Sequence, residues 1–129
     1  IKVTAYMLLI STLDPILRKN LQVSLEEKGD PFLLLEEGEN IVEMVLHHQP
    51  SLVVLDLYLS HPSGIEILRE LRGAGYTGKI VVLGGQSSQS LAPEATRLGA
   101  LQIVGRPFDT GQVLGAVRIA HGTLDDDPE

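Results

Sequence analysis

The chain has no cysteine, which excludes a disulfide framework, a thiolate nucleophile and a zinc–cysteine site. It has no tryptophan, three tyrosines and two phenylalanines, so few aromatics are on hand to sandwich a flavin. No apolar run approaches the roughly 20 residues that a membrane span needs. The run from Met7 to Ile10 also lacks the basic flank and cleavage pattern of a signal peptide. Basic residues are scarce: ten Lys and Arg against 17 Asp and Glu leave a net charge of −7, which argues against direct nucleic-acid contact. Neither GxGxxG nor GxxxxGK[ST] follows the first apolar run, and nucleotide binding loses its best support. These absences lead us to expect a soluble, cytoplasmic protein with no membrane segment.

What is present is enough for one core: 129 residues, 43% of them hydrophobic, suit a single domain without crosslinks. The most informative stretch is Ser51 to Gly64. There the unbroken apolar run Leu52–Leu55 meets a single carboxylate, Asp56. Four apolar residues without alternation suit a strand covered on both faces, as in a parallel sheet flanked by helices. Asp56 then stands at the strand's C-terminal end, the edge at which open α/β sheets bind ligands.

The rest of the chain alternates in the same way. Tyr6–Ile10 is predicted as strand one, with residues 1–5 as an N-terminal extension. Asp14-Pro15 reads as an N-cap followed by proline at the first helical position, opening helix one, which Gly29 ends. Phe32–Leu35 is strand two, and Asn40 opens a second helix that Pro50 stops. Strand three carries Asp56, and helix three runs from about Gly64 to Arg72. Ile80–Leu83 is strand four, and a short helix four lies near Pro93–Leu98. Leu101–Val104 is strand five, and helix five, capped by Asp109, runs to about His121. Gly111 and Gly115 weaken that last helix and suggest close packing against a neighbour. Residues 123–129 are expected to be an acidic tail or linker stub. Five strands alternating with five helices, joined by right-handed crossovers, predict an α/β fold. It is a (βα)5 doubly wound parallel five-stranded sheet of order 2-1-3-4-5.

Over residues 6–122 the pattern resembles the receiver domain of two-component response regulators, which has a flavodoxin-like fold. Four features carry the likeness: Asp56 ending strand three, Gly64 eight residues on, Gly99-Ala100 before strand five, and Arg106-Pro107-Phe108. The resemblance implies that Asp56 is the phosphoacceptor position, served by Mg²⁺ and by a histidine kinase as donor. It also implies an acidic pair after strand one, a hydroxyl residue after strand four, an aromatic switch on strand five and a lysine before the proline.

This sequence departs from each of these. Aligned on the start of helix one, the acidic pair falls on Thr12 and Leu13, with Asp14 one position late and already accounted for as a cap. The hydroxyl position falls on Gly84, the aromatic switch on Ile103 and the lysine on Arg106. Arginine keeps the positive charge without lysine's compact geometry. Because Mg²⁺ recruits protein carboxylates, a site so poor in them, with Asp14 and Asp56 as its only candidates, binds the ion weakly or not at all.

The expectation is therefore a degenerate receiver, or pseudo-receiver. It is not an enzyme and has no cofactor, and it works in signalling as a protein-interaction or dimerisation module. The face made by helix four, strand five and helix five would meet a protein partner or a second copy, with Leu91, Leu98, Leu101 and Ile119 as candidate contacts. The alternative is a receiver that still accepts a phosphoryl group on Asp56 from a histidine kinase through weakened Mg²⁺-dependent chemistry. A flavodoxin-like cofactor binder is a third class. Tyr58 and His61, beside Asp56, form too small a set for a metal site, and His47-His48 suits a helix C-terminus.

Overall fold

Short unbroken apolar runs and period-3.6 patterning resolve into ten elements in the computed structural model, which describes residues 7–12, 14–29, 31–36, 39–57, 64–84, 92–104 and 110–125. In chain order these are β1 (Leu8–Ser11), α1 (Pro15–Lys28), β2 (Phe32–Leu34), α2 (Ile41–His48) and β3 (Leu52–Asp56). They continue with α3 (Gly64–Gly73), β4 (Lys79–Leu83), α4 (Ala92–Arg97), β5 (Ala100–Val104) and α5 (Thr110–Asp125). All strand pairs are parallel and the order is β2-β1-β3-β4-β5, as expected from the sequence.

The central strands are apolar on both faces because both faces are covered. Leu8, Ile10, Leu52, Val54, Val81 and Leu83 pack on one side with Leu17, Leu21 and Leu25 of α1 and Val113, Ala116, Val117 and Ala120 of α5. The alternate residues Leu9, Val53, Leu55, Ile80 and Val82 pack on the other side with Val45 of α2, Ile65, Ile67, Leu68 and Leu71 of α3, and Ala95 of α4. Two apolar layers thus grip one sheet. Removing a large side chain from either layer costs about 2–5 kcal/mol.

Local signals set the helix ends. The Asp14 carboxylate accepts from the Ile16 and Leu17 amides at 3.1 and 3.0 Å, satisfying donors that the first turn leaves free. Gly29 closes α1 in the left-handed region at φ 76°, which favours glycine. Asn40 caps α2 through the Glu43 amide at 3.0 Å.

Some boundaries differ from expectation. Helix α4 starts at Ala92 and places Pro93 in its first turn, where a missing N–H costs nothing. Helix α5 continues to Asp125, so residues 123–125 are helical. A Cβ at Gly115 would meet nothing within 4 Å, so close packing is not what that glycine serves. Tyr6, Asp109 and residues 126–129 lie outside the described residues.

Candidate functional site

Strand register places Asp56. Ile10 lies opposite Val54 and Ser11 opposite Leu55, so one further step brings Thr12 level with Asp56. Side chains alternate along a strand. Thr12 therefore follows Leu8 and Ile10, Asp56 follows Leu52 and Val54, and both emerge on the α1–α5 side at the C-terminal edge of the sheet.

The outcome is a direct contact. Thr12 Oγ1 donates to Asp56 Oδ2 at 2.9 Å, and the two residues are only 1% and 3% exposed. The same hydroxyl accepts from the Asp14 amide at 3.2 Å. Ser11, the preceding residue, is also buried. Strand β1 thus ends at Ser11, and Thr12, the next residue, is the one that meets the carboxylate, while Leu13 lies outside the described residues.

Behind Asp56 the backbone is closed by contacts that need a small residue. A Cβ on Gly64 would lie 2.5 Å from both the Asp56 carbonyl oxygen and Leu57 Cα, so α3 can start against the strand end only with glycine there. The Leu57 amide donates to the Leu83 carbonyl at 2.8 Å, and the Gly84 amide donates to the Val104 carbonyl at 2.8 Å. Gly84 is buried at the end of β4 and brings no hydroxyl to this edge.

Arg18 fixes the other flank, and sequence reasoning missed it. Its Nη1 donates to the carbonyls of Thr12 and Leu35 at 2.8 and 2.7 Å, and its Nη2 lies 3.5 Å from Glu36 Oε2. One guanidinium thus joins the loops that follow β1 and β2 and holds the backbone of Thr12. The available signal was a long cation one turn into α1, beside a site edge with two polypeptide loops to bridge.

The donor set can be tested against Mg²⁺, the ion that the family likeness implies. Magnesium wants hard oxygen ligands and usually takes one or two protein carboxylates. Ser11 and Thr12 offer neutral hydroxyls. The Asp14 carboxylate is engaged by two helix amides. Among the described residues no three His, Asp or Glu side chains cluster as a metal site. These residues do not fit a standard Mg²⁺ site, and no chemical step is derived through the ion.

The remaining expected site residues are dispersed. Leu101 and Ile119 are exposed, at 44% and 59%. Leu98 instead packs against the α2–α3 core. Ile103 pairs with Val82 through its backbone. Leu91, Arg106, Tyr58 and His61 lie outside the described residues. His47 and His48 close α2, as expected. No helix among the described residues is long and apolar enough to cross a membrane.

A second polar cluster occupies the opposite edge. Arg72 of α3 donates to four carbonyls and stands 5.8 Å from the centre of the Tyr76 ring. The Tyr76 hydroxyl donates to the Pro50 carbonyl at 2.7 Å. Burial pushes the Tyr76 phenol up to about 12, with the Arg72 charge opposing the shift, and burial lowers the Arg72 guanidinium from its ordinary value.

Comparison with known proteins agrees with this arrangement. The transcriptional regulatory protein KdpE of Mycobacterium tuberculosis is 30% identical over 107 residues, covering 83% of this chain and 47% of the relative. FixJ of Azorhizobium caulinodans, also a transcriptional regulatory protein, is 28% identical over 109 residues, covering 84% of this chain and 52% of the relative. The chain spans about half the length of these curated relatives. The crystal structure of FixJ-N superposes with a TM-score of 0.76 at 24% identity, covering 92% of this chain and 94% of that one. The receiver domain of the Francisella response regulator 1452 gives 0.80 at 18% identity, covering 93% and 99%. These two likenesses speak for the fold. Residues 9–118 match the family model described as the response regulator receiver domain, and the chain belongs to that family.

Proposed function

We propose that this receiver domain is degenerate: its Asp56 pocket no longer runs Mg²⁺-dependent phosphoryl transfer, and the domain serves signalling as a protein-interaction or dimerisation module. The observation that carries the reading is the Thr12 hydroxyl, which sits 2.9 Å from Asp56 where a second carboxylate would be needed to hold the ion. A carboxylate is a poor nucleophile toward phosphorus. Catalysis of its phosphorylation rests on positioning and on neutralising charge around the transferring group. Thr12 and Ser11 add no charge with which to hold a cation, and Gly84 has no side chain to bond a phosphoryl oxygen.

With that chemistry weakened, the exposed apolar residues of β5 and α5 become the functional surface, with Leu101 and Ile119 as its contacts. A protein partner or a second copy of the chain is the occupant, and the cytoplasm is the setting. The domain is not an enzyme in this reading. A second reading keeps phosphoryl acceptance, with a histidine kinase as donor. It is favoured by the retention of a buried carboxylate at the strand end.

Intact mass after incubation with a small phosphodonor and Mg²⁺ separates the two, with Asp56→Asn as control. The degenerate reading expects no added mass. A phosphoryl mass in the wild type that disappears in the variant would replace it with the second reading.

A further inference from the structure

Edge strand β2 has the composition of an interior strand. In β1, β3 and β4 an unbroken apolar run goes with nearly complete burial, because each of these strands has helices on both faces and a neighbour on both sides. Strand β2 carries the same kind of run, Phe32-Leu33-Leu34, yet all three residues are only half-buried. Helix α2, which follows it, is in a similar condition: Ile41, Val42 and Met44 are half-buried, Leu46 is exposed, and only Val45 is fully buried. The other edge strand differs, since β5 has a register shift against β4, a feature that discourages pairing at an edge.

The main chain shows what would complete β2. The Leu8 amide donates to the Pro31 carbonyl at 3.2 Å, the Leu35 amide donates to the Ile10 carbonyl at 3.0 Å, and Leu9 lies opposite Leu33. Alternate residues of a strand turn their N–H and C=O to opposite sides. Pro31, Leu33 and Leu35 therefore face β1, while Phe32 and Leu34 present their N–H and C=O groups to the outer side, where no further strand lies among the described residues. Pro31 does not close this edge, because its missing N–H is on the β1 side.

These outward groups are self-complementary. When two copies meet antiparallel across a two-fold axis at Leu33, Phe32 of one copy lies opposite Leu34 of the other, and each such pair exchanges both of its hydrogen bonds. Leu33 then faces its own counterpart. Phe32 and Leu34 of both copies extend the layer packed on α1, and Leu33 of both extends the layer packed on α2. No residue from 31 to 35 is charged, so nothing on the strand repels its copy. The net charge of −7 on each chain does oppose association, and salt relieves that repulsion.

We propose that β2 pairs with β2 of a second copy, joining two five-stranded sheets into one continuous sheet. The short strand makes this association weak and dependent on concentration. It uses the sheet edge opposite β5 and does not involve Asp56, so it stands or falls apart from the function proposed above.

Sedimentation of the wild type up to about 1 mM protein should show a monomer–dimer equilibrium. Adding about 0.5 M salt should shift it toward dimer. Over the same range the Phe32 and Leu34 amides should exchange hydrogen more slowly, while the Leu33 amide, already bonded to β1, is unchanged. Leu34→Pro removes an outward N–H and no bond to β1, and Leu33→Lys sets two like charges face to face, so each should abolish the dimer. Urea unfolding checks that both variants fold, and if either does not, the exchange pattern of the wild type decides. Leu33→Cys tests the register, because the chain has no cysteine of its own and directly opposed residues on antiparallel strands are close enough for a disulfide. Mild oxidation should give a covalent dimer of Leu33→Cys and leave Leu101→Cys, on the opposite edge strand, monomeric. The proposal is overturned if the wild type stays monomeric in salt, if the dimer survives both Leu34→Pro and Leu33→Lys, if Phe32 and Leu34 gain no protection, or if Leu101→Cys crosslinks and Leu33→Cys does not.

Discussion

The Thr12 hydroxyl donates to Asp56 Oδ2 across adjacent parallel strands, at 2.9 Å and sealed from solvent. A buried carboxylate that loses a donor bears the desolvation cost of the lost bond, so Thr12→Val should destabilise the domain by about 1–3 kcal/mol, read from urea unfolding. Thr12→Ser keeps the hydroxyl and should recover most of that loss. In an Asp56→Asn background the penalty of Thr12→Val should shrink, because the two groups are coupled. Equal penalties in both backgrounds would mean that the charge of Asp56 adds nothing to the contact, since the asparagine oxygen can still accept from Thr12.

Replacing the hydroxyl by a second carboxylate tests why the pocket does not suit a cation. Thr12→Asp places two carboxylates at the end of adjacent strands, where like charges repel, and should lower stability without divalent ions. It should also supply the missing hard ligand. At Mg²⁺ about tenfold above its Kd, the variant should gain about 4–6 °C in Tm, while the wild type shifts by less than about 1 °C. A wild type that responds as strongly as the variant would refute the degenerate reading.

The alternation of apolar runs with helical spacing made the five-stranded parallel order readable in advance, because buried parallel strands need no polar face. Asp56 was legible for the same reason, as the one charge ending such a run. Its neighbour was harder to place. An alignment on the start of α1 points to Thr12 and Leu13, whereas register places Ser11 and Thr12 at the strand end, and register depends on pairings between distant segments. Arg18 and Arg72 were invisible because their partners are main-chain carbonyls, which any sequence supplies. Leu98 was misleading because a leucine just past a short helix reads equally well as surface or core, and here it packs inward.

Gly64 offers a check on how tightly the site edge is built. Its missing Cβ would stand 2.5 Å from two main-chain atoms of Asp56 and Leu57, and main chain cannot rotate aside as a flexible side chain does. Gly64→Ala should therefore cost about 1–3 kcal/mol by overpacking, despite alanine's better helix propensity. Gly115→Ala, in open space on α5, should instead stabilise by about 0.5–1 kcal/mol. Chemical denaturation of both variants reads the contrast, and a Gly64→Ala protein as stable as the wild type would show that α3 can slide away from the strand.

At the opposite edge, Tyr76 carries a pH dependence whose sign is fixed by its burial. Its phenol is pushed up to about 12 in the folded protein, against an ordinary value of 10, and its hydroxyl donates to the Pro50 carbonyl. The folded state therefore keeps a proton that the unfolded chain releases first. The hydroxyl's contribution is complete below pH 10 and is lost as pH rises from 10 through 12. Tyr76→Phe removes the donor and leaves the Pro50 carbonyl unmatched, which should cost about 1–2 kcal/mol at pH 8. Groups titrating elsewhere affect both proteins alike and cancel in the difference. The stability gap between wild type and Tyr76→Phe, measured by urea unfolding at pH 8, 10, 11 and 12, should hold to pH 10 and then close. A gap that stays constant to pH 12 would show that the phenol is not held protonated by the fold.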